Sequence, residues 1–188
     1  MNMLTATFVV LLWTASIGTT QAQTTQTPPA PTAARAMLDA IQSVEKSITG
    51  VATEMPEDKY GFAPTAGAFR GVRNFAAQIK HAAAVQHLIA ASLLGDPITA
   101  DMSDERGPDS VKTKAEVLKY LADSFARLKK AAATVDEKNA FSPIKGVFGS
   151  APATRTGLIV LAVSHTSNHY GQVVEYLRMN GLTPPGSQ

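Results

Sequence analysis

The run Ser164-His165-Thr166-Ser167-Asn168-His169-Tyr170-Gly171-Gln172 places two of the chain's four histidines four residues apart within a strongly helical stretch. Four residues advance an α-helix by slightly more than one turn, so both imidazoles leave by one face. That face also carries Leu158, Leu161, Ala162, Gln172, Val173 and Tyr176, an apolar stripe of the kind that turns toward a core. A fold that buries the stripe must therefore give both imidazoles partners inside it. Two solutions are open on spacing alone: hydrogen-bonded core histidines, or chelation of one cation by both rings. Only another part of the chain can bring a third ligand.

Helical periodicity recurs three more times. Met37, Leu38, Ile41, Val44, Ile48, Val51 and Met55 make one amphipathic segment, opened by Thr32 as N-cap and stopped by Pro56. A second segment is expected from Val72 to Leu94, closing at Gly95-Asp96-Pro97. Its inward stripe holds Gln78, His81, Ala82, Val85, Leu88 and Ile89. His87 is rotated from His81 by roughly 120°, which groups it with Lys80, Ala84 and Ala91 on a flank or outer face. Thr113-Lys114-Ala115-Glu116 is a capping box that opens the third segment, with Val117, Leu118, Leu121, Phe125, Leu128 and Ala132 on one face. The fourth spans about Thr154 to Asn180 and ends at Gly181 with Pro184-Pro185 beyond.

No convincing period-2 segment or internal repeat interrupts this pattern, so the expected class is all-α, a four-helix bundle. The connection from Asp96 to Lys112 is long enough to return along the bundle and let helices two and three run parallel. Its acidic cluster (Asp101, Asp104, Glu105, Asp109) lacks the glycine and glutamate positions of an EF-hand loop and reads as a solvated loop. Between Pro56 and Arg70 a turn-rich loop carries Tyr60, Phe62 and Phe69, aromatics that either cap a core edge or line a pocket.

The ends differ in composition from this bundle. Residues 1–22 contain no Asp, Glu, Lys or Arg, are mostly apolar from Met3 to Gly18 with only Thr and Ser interrupting, and finish in Thr19-Thr20-Gln21-Ala22, a small-x-small cleavage pattern. They read as a secretory signal peptide; as an anchor the run would fall short of the ~20 residues of a membrane span. Residues 23–32 form a Pro/Thr/Gln tether, 33–182 the bundle and 183–188 a short tail. The expected location is thus the periplasm or the cell exterior, with no stable membrane span after cleavage. A formal charge of +2 spread over 17 basic and 15 acidic residues makes no basic stripe, which argues against a nucleic-acid partner. The chain has no cysteine, which excludes disulfides, thiolate metal sites, iron–sulfur clusters and c-type haem attachment. Any transition-metal site must use histidine and oxygen ligands.

In a bundle the inward stripes converge, so His81 of the second helix can meet His165 and His169 of the fourth. Three histidines would leave coordination positions open, as in catalytic zinc sites. The stretch Phe75-Ala76-Ala77-Gln78-Ile79-Lys80-His81, the closing run from Ser164 to Gly181, and Met55-Pro56-Glu57-Asp58-Lys59-Tyr60 followed by Pro64 resemble the DinB-like superfamily of metal-dependent four-helix proteins. The resemblance covers roughly residues 34–182. It implies an up-down-down-up bundle, often a homodimer, with a divalent metal, commonly zinc or nickel, on His81, His165 and His169. His87 receives no role from it. The reactions it implies are diverse, from thiol-dependent transfer or isomerisation to hydrolysis, and fold and metal do not fix the reaction. Export weighs against a cytosolic thiol cofactor.

Two functions follow as expectations. One is a metal-dependent hydrolase or transferase acting on a small molecule, with Tyr60, Gln172 and Tyr176 as candidates for the substrate pocket. Its weak point is the acid/base partner, since Glu175 lies six residues past His169 and points elsewhere. The other is a non-catalytic metal- or ligand-binding module of the periplasm. A haem or di-iron bundle is excluded by the lack of Cys-x-x-Cys-His and of Glu-x-x-His pairs.

Overall fold

The computed structural model describes residues 32–149 and 152–186. The expected signal peptide and nearly all of the tether lie outside the described residues. Four long helices carry the fold: α1 (Ala33–Glu54), α2 (Phe75–Leu94), α4 (Lys114–Ala132) and α5 (Arg155–Met179), with a one-turn α3 (Ala100–Ser103) in the long connection. Each long helix opens on a side-chain cap. Thr32, Asn74, Thr113 and Thr154 accept from the amides of Arg35, Ala77, Glu116 and Gly157. The capping box at Thr113 is complete, with Glu116 Oε2 accepting from the amides of Lys112 and Thr113 at 2.9 Å. Asn74 also explains why α2 starts three residues later than the apolar pattern suggests: its extended backbone ends the loop and its side chain takes the first turn.

Contacts between helices fix their directions. Lys114 Nζ at the start of α4 donates to the carbonyls of Thr53 and Met55 at the end of α1 (2.7 and 2.8 Å), whereas Lys129, late in α4, pairs with Glu45 further back (2.8 Å). These two helices are therefore antiparallel. Along α2 and α4 the pairs advance together, Gln86 with Ser124 (3.0 Å) and Asp96 with Arg127 (2.7 Å), so α2 and α4 are parallel. Against α5 the order reverses, from Gln78 with His169 (2.7 Å) to the Leu93 carbonyl with Arg155 (3.1 Å). Ala36 and Met37 border Ile159 and Val160, and Gly50 faces Pro185, so α1 and α5 run together. The bundle is up-down-down-up, as the long connection anticipates.

α1 and α2 each pack between α4 and α5, and the core fills the space among them with Ile41, Ile48, Ile79, Ile89, Leu121, Phe125, Leu158 and Leu177. α2 is the most enclosed helix. Ala84 and Ala91, placed on its outer flank by phase alone, are fully buried, and the ring of His87 lies 4.9 Å from that of Tyr120 on α4. The expected outer face does not exist, because α4 and the long connection cover that side. One element had no signal at all in the sequence: Pro143–Ile144 and Ala153–Thr154 form a two-residue antiparallel ladder that ties the last loop together.

A buried polar bridge crosses the apolar core. Gln86, fully buried, donates from Nε2 to Thr166 Oγ1 (3.0 Å) and accepts at Oε1 from Ser124 Oγ (3.0 Å), joining α2, α5 and α4. Removing it breaks both cross-helix bonds, leaving the hydroxyls of Ser124 and Thr166 only the Leu121 and Ala162 carbonyls of their own helices, and opens a cavity. Gln86→Ala should cost about 2–4 kcal/mol in urea unfolding, against about 1 kcal/mol for Thr113→Ala at the exposed cap. Equal costs would mean that the bridge contributes no more than a cap.

Candidate metal centre

His81 projects from the second turn of α2, and His165 and His169 project from successive turns of α5. The antiparallel packing of these helices brings their Nε2 atoms to one point. His81 Nε2 lies 3.1 Å from His165 Nε2, which lies 3.2 Å from His169 Nε2. His81 and His169 are buried and His165 is half-buried. His81, His165 and His169 are the candidates from sequence; the structure brings these three together and leaves His87, set apart by helical phase, in a separate contact with Tyr120.

The far nitrogens determine what the near ones can do. His81 Nδ1 lies 2.8 Å from the Glu105 carbonyl, and His169 Nδ1 lies 2.7 Å from Gln78 Oε1. A carbonyl oxygen only accepts, so His81 carries its proton on Nδ1 and presents a lone pair at Nε2. Gln78 is oriented by its own donor, since Nε2 gives a bond to Gln172 Oε1 at 2.8 Å, which leaves Oε1 to accept from His169 Nδ1. His169 therefore also presents a lone pair at Nε2. His165 Nδ1 is buried without a hydrogen-bond partner among the described residues. Two lone pairs and a third Nε2 converging at about 3 Å leave the free imidazoles short of donors. One cation shared by all three resolves that shortage, and nitrogens about 2.0–2.1 Å from a tetrahedral zinc would stand about 3.3–3.4 Å apart. The residues present fit a metal ion.

Charge acts in the same direction. Burial, then the neighbouring His165 and His81, then Arg73 push His169 down to about 3; burial, His81 and Arg73 push His165 down to about 4. His81 is lowered as well, chiefly by burial. All three rings are neutral at neutral pH, which is the form that binds a metal.

The sequence matches the DinB superfamily model over residues 40–173, a span that includes all three histidines and most of the bundle. The chain belongs to the DinB superfamily. Solved structures agree on the fold of this DinB protein. A DinB-like protein of Bacillus subtilis is 17% identical with a TM-score of 0.61, covering 79% of this chain and 94% of its own. A DinB-like protein of Bacillus cereus is 14% identical with a TM-score of 0.62, covering 81% and 95%. A conserved protein of Enterococcus faecalis is 18% identical with a TM-score of 0.60, covering 80% and 98%. No curated protein matches the sequence.

Of the three residues proposed from sequence for a substrate pocket, only Gln172 is tied to the histidines of this DinB protein, through Gln78. Gln172 stands behind His169, bonded to Gln78 and to Asn168 Oδ1. Tyr176 gives its hydroxyl to the Arg73 carbonyl (3.0 Å) and packs edge-on against Phe62. Tyr60 is buried, with its hydroxyl on the Ala52 carbonyl (2.6 Å) and its ring edge-on to Phe75. The residue that sequence reasoning missed is Glu105. It lies in the acidic connection taken for a solvated loop, yet its carbonyl holds His81 and its carboxylate lies 3.7 Å from the same Nδ1. Glu105 adopts φ +58°, a left-handed conformation unfavourable for a residue with a Cβ, and that turn aims the carbonyl at the ring. No periodicity announces such a contact.

Lowered imidazole pKa values tie stability to pH. An unfolded chain takes up protons near pH 6.5, whereas folded His165 and His169 resist until about 4 and about 3. The unfolded state thus binds more protons below pH 6.5, and stability falls as the pH drops through that window. Metal-stripped protein should show a falling urea midpoint from pH 7.5 to pH 5, with a shallower fall in His165→Leu. An identical fall in the variant would place its cause outside His165.

Proposed function

We propose that His81, His165 and His169 together hold one divalent metal, zinc or nickel, and that this protein is a metal-dependent hydrolase or transferase acting on a small molecule. The observation that carries this reading is the convergence of three Nε2 atoms while the Nδ1 atoms of His81 and His169 are held by Glu105 and Gln78. Neutral imidazole suits zinc and nickel, and the lack of thiolate or carboxylate in the group leaves the ligand set neutral. A divalent cation in that position supplies Lewis acidity, with coordination positions beyond the three histidines left for a reactant.

The chain's own residues supply positioning. Gln78 and the Glu105 carbonyl hold two rings in one tautomer and one orientation, as outer partners of ligating histidines do. The Glu105 carboxylate strengthens this by lying behind His81, on its Nδ1 side, rather than in front of the converging nitrogens. Arg73 adds a positive charge that favours neutral imidazoles and an anionic reactant. Among the described residues no carboxylate joins the three Nε2 atoms, an observation that favours a second reading, a module that binds metal or ligand without turnover.

Metal content by elemental mass spectrometry tests the site. Wild type should carry about one equivalent of zinc or nickel, lost in His165→Ala and kept in His87→Ala. Gln78→Leu should keep the fold and bind the metal about 10–100-fold more weakly. A wild type that takes up neither metal would reduce the cluster to core histidines. Metal-dependent turnover of a small-molecule substrate separates the enzyme from the binding module.

The proposal includes export, which rests on the uncharged apolar residues 1–22. Intact mass of the secreted protein should then begin at Gln23, and a chain retained with Met1 in the cytosol would remove that part.

A further inference from the structure

A second feature is built on the same elements as the histidine cluster. Residues Arg73, Asn74, Ala77, Lys80, Arg106 and Asp109 line a cleft of about 380 Å³ at the start of α2. That volume suits a small molecule. Its walls are the elements that build the metal centre. Ala77 lies one turn before His81, and Arg106 follows the residue whose carbonyl holds His81. Arg73 gives its carbonyl to Tyr176, and its charge is felt by all three imidazoles.

Three cationic side chains face one carboxylate in this cleft, and they are weakly committed. The Arg73 guanidinium makes no ion pair among the described residues. Lys80 Nζ meets only the Pro108 carbonyl (2.8 Å), and Arg106 reaches only Asp104, at 3.3 Å on the exposed surface. The backbone is not the recognition element. The amides of Phe75, Ala76 and Ala77, which a helix start would offer to an anion, are donated to the Phe62 carbonyl, the Tyr60 carbonyl and Asn74 Oδ1. Recognition must come from the side chains, and guanidinium groups match the planar oxygens of carboxylates and phosphates.

We infer that this cleft binds the carboxylate or phosphate group of a small-molecule reactant through Arg73, Arg106 and Lys80, with its other end toward the three histidines. This rests on the metal-centre reading for its chemistry, but the anion site stands on separate residues. Arg73 and Arg106 are exposed side chains, so their replacement leaves the core intact; Lys80 also secures the Pro108 turn and is left unchanged.

The test is isothermal titration of the full chain with succinate and, separately, inorganic phosphate, at fixed ionic strength in chloride, with neutral succinamide as control. Wild type should bind at least one anion saturably and ignore succinamide. The double variant R73Q/R106Q should bind at least about tenfold more weakly with an unchanged circular-dichroism melt. Arg73→Gln alone repeats the comparison with the Arg106–Asp104 pair intact. His165→Ala should retain the binding. Preference for succinate identifies a carboxylate, and preference for phosphate a phosphate ester. No saturable binding, equal affinity in R73Q/R106Q, or binding lost in His165→Ala but indifferent to the arginines would each overturn the proposal, the last by placing the anion on the metal alone. Metal content of the same samples separates the two readings. Anion binding without metal leaves the cleft standing without its reaction, and metal without anion binding sinks the cleft alone.

Discussion

Three imidazoles share one small space inside a helical core, and much of the polar structure around them follows from the cost of that arrangement. An unpartnered buried ring nitrogen is expensive, so the far nitrogens of His81 and His169 are each assigned an acceptor, a backbone carbonyl from one side and a glutamine from the other. Those acceptors need support in turn. Gln78 is held by Gln172, which is held by Asn168, and Glu105 is held by a turn whose Pro108 carbonyl is fastened to Lys80. The result is a fixed set of lone pairs aimed at one position, which is what a metal ion requires and what free imidazoles tolerate poorly.

The long connection between α2 and α4 therefore does more than reverse the chain's course. It lets two consecutive long helices run parallel, and it places Glu105 and Arg106 over the start of α2. Gly107, buried at φ +69° where a Cβ would stand only 3.0 Å from the Tyr120 ring, allows the turn to lie close against α2 and α4. One turn thus contributes a partner to His81 and a cation to the neighbouring cleft. In physical terms the histidine cluster and the cleft share one loop.

Much of the architecture was legible in local sequence. Helix starts are written in short-range chemistry, as at Thr32 and the Thr113–Glu116 box, and the inward faces in three-and-four spacing. The His81 and His87 phases also separated one ligand candidate from one bystander. Phase alone misjudged the surroundings of His87, because whether a flank is exposed depends on what packs there. The acidic connection was read from composition as solvated, and composition cannot show that one carbonyl in it turns inward.

Sequence by itself determined the four long helices, the caps at Thr32 and Thr113, the shared face of His165 and His169 and the inward phase of His81. All of these depend on contacts within one or two helical turns, where spacing and geometry are equivalent. Only the tertiary structure decided that the three Nε2 atoms meet, that Gln78 and Glu105 set their tautomers, that Tyr60 and Tyr176 spend their hydroxyls on backbone carbonyls, and that Arg73 and Arg106 border one cleft. Apart from His165 with His169, those pairings join residues from 8 to 103 positions apart, and their energies depend on directions and distances that no local pattern encodes.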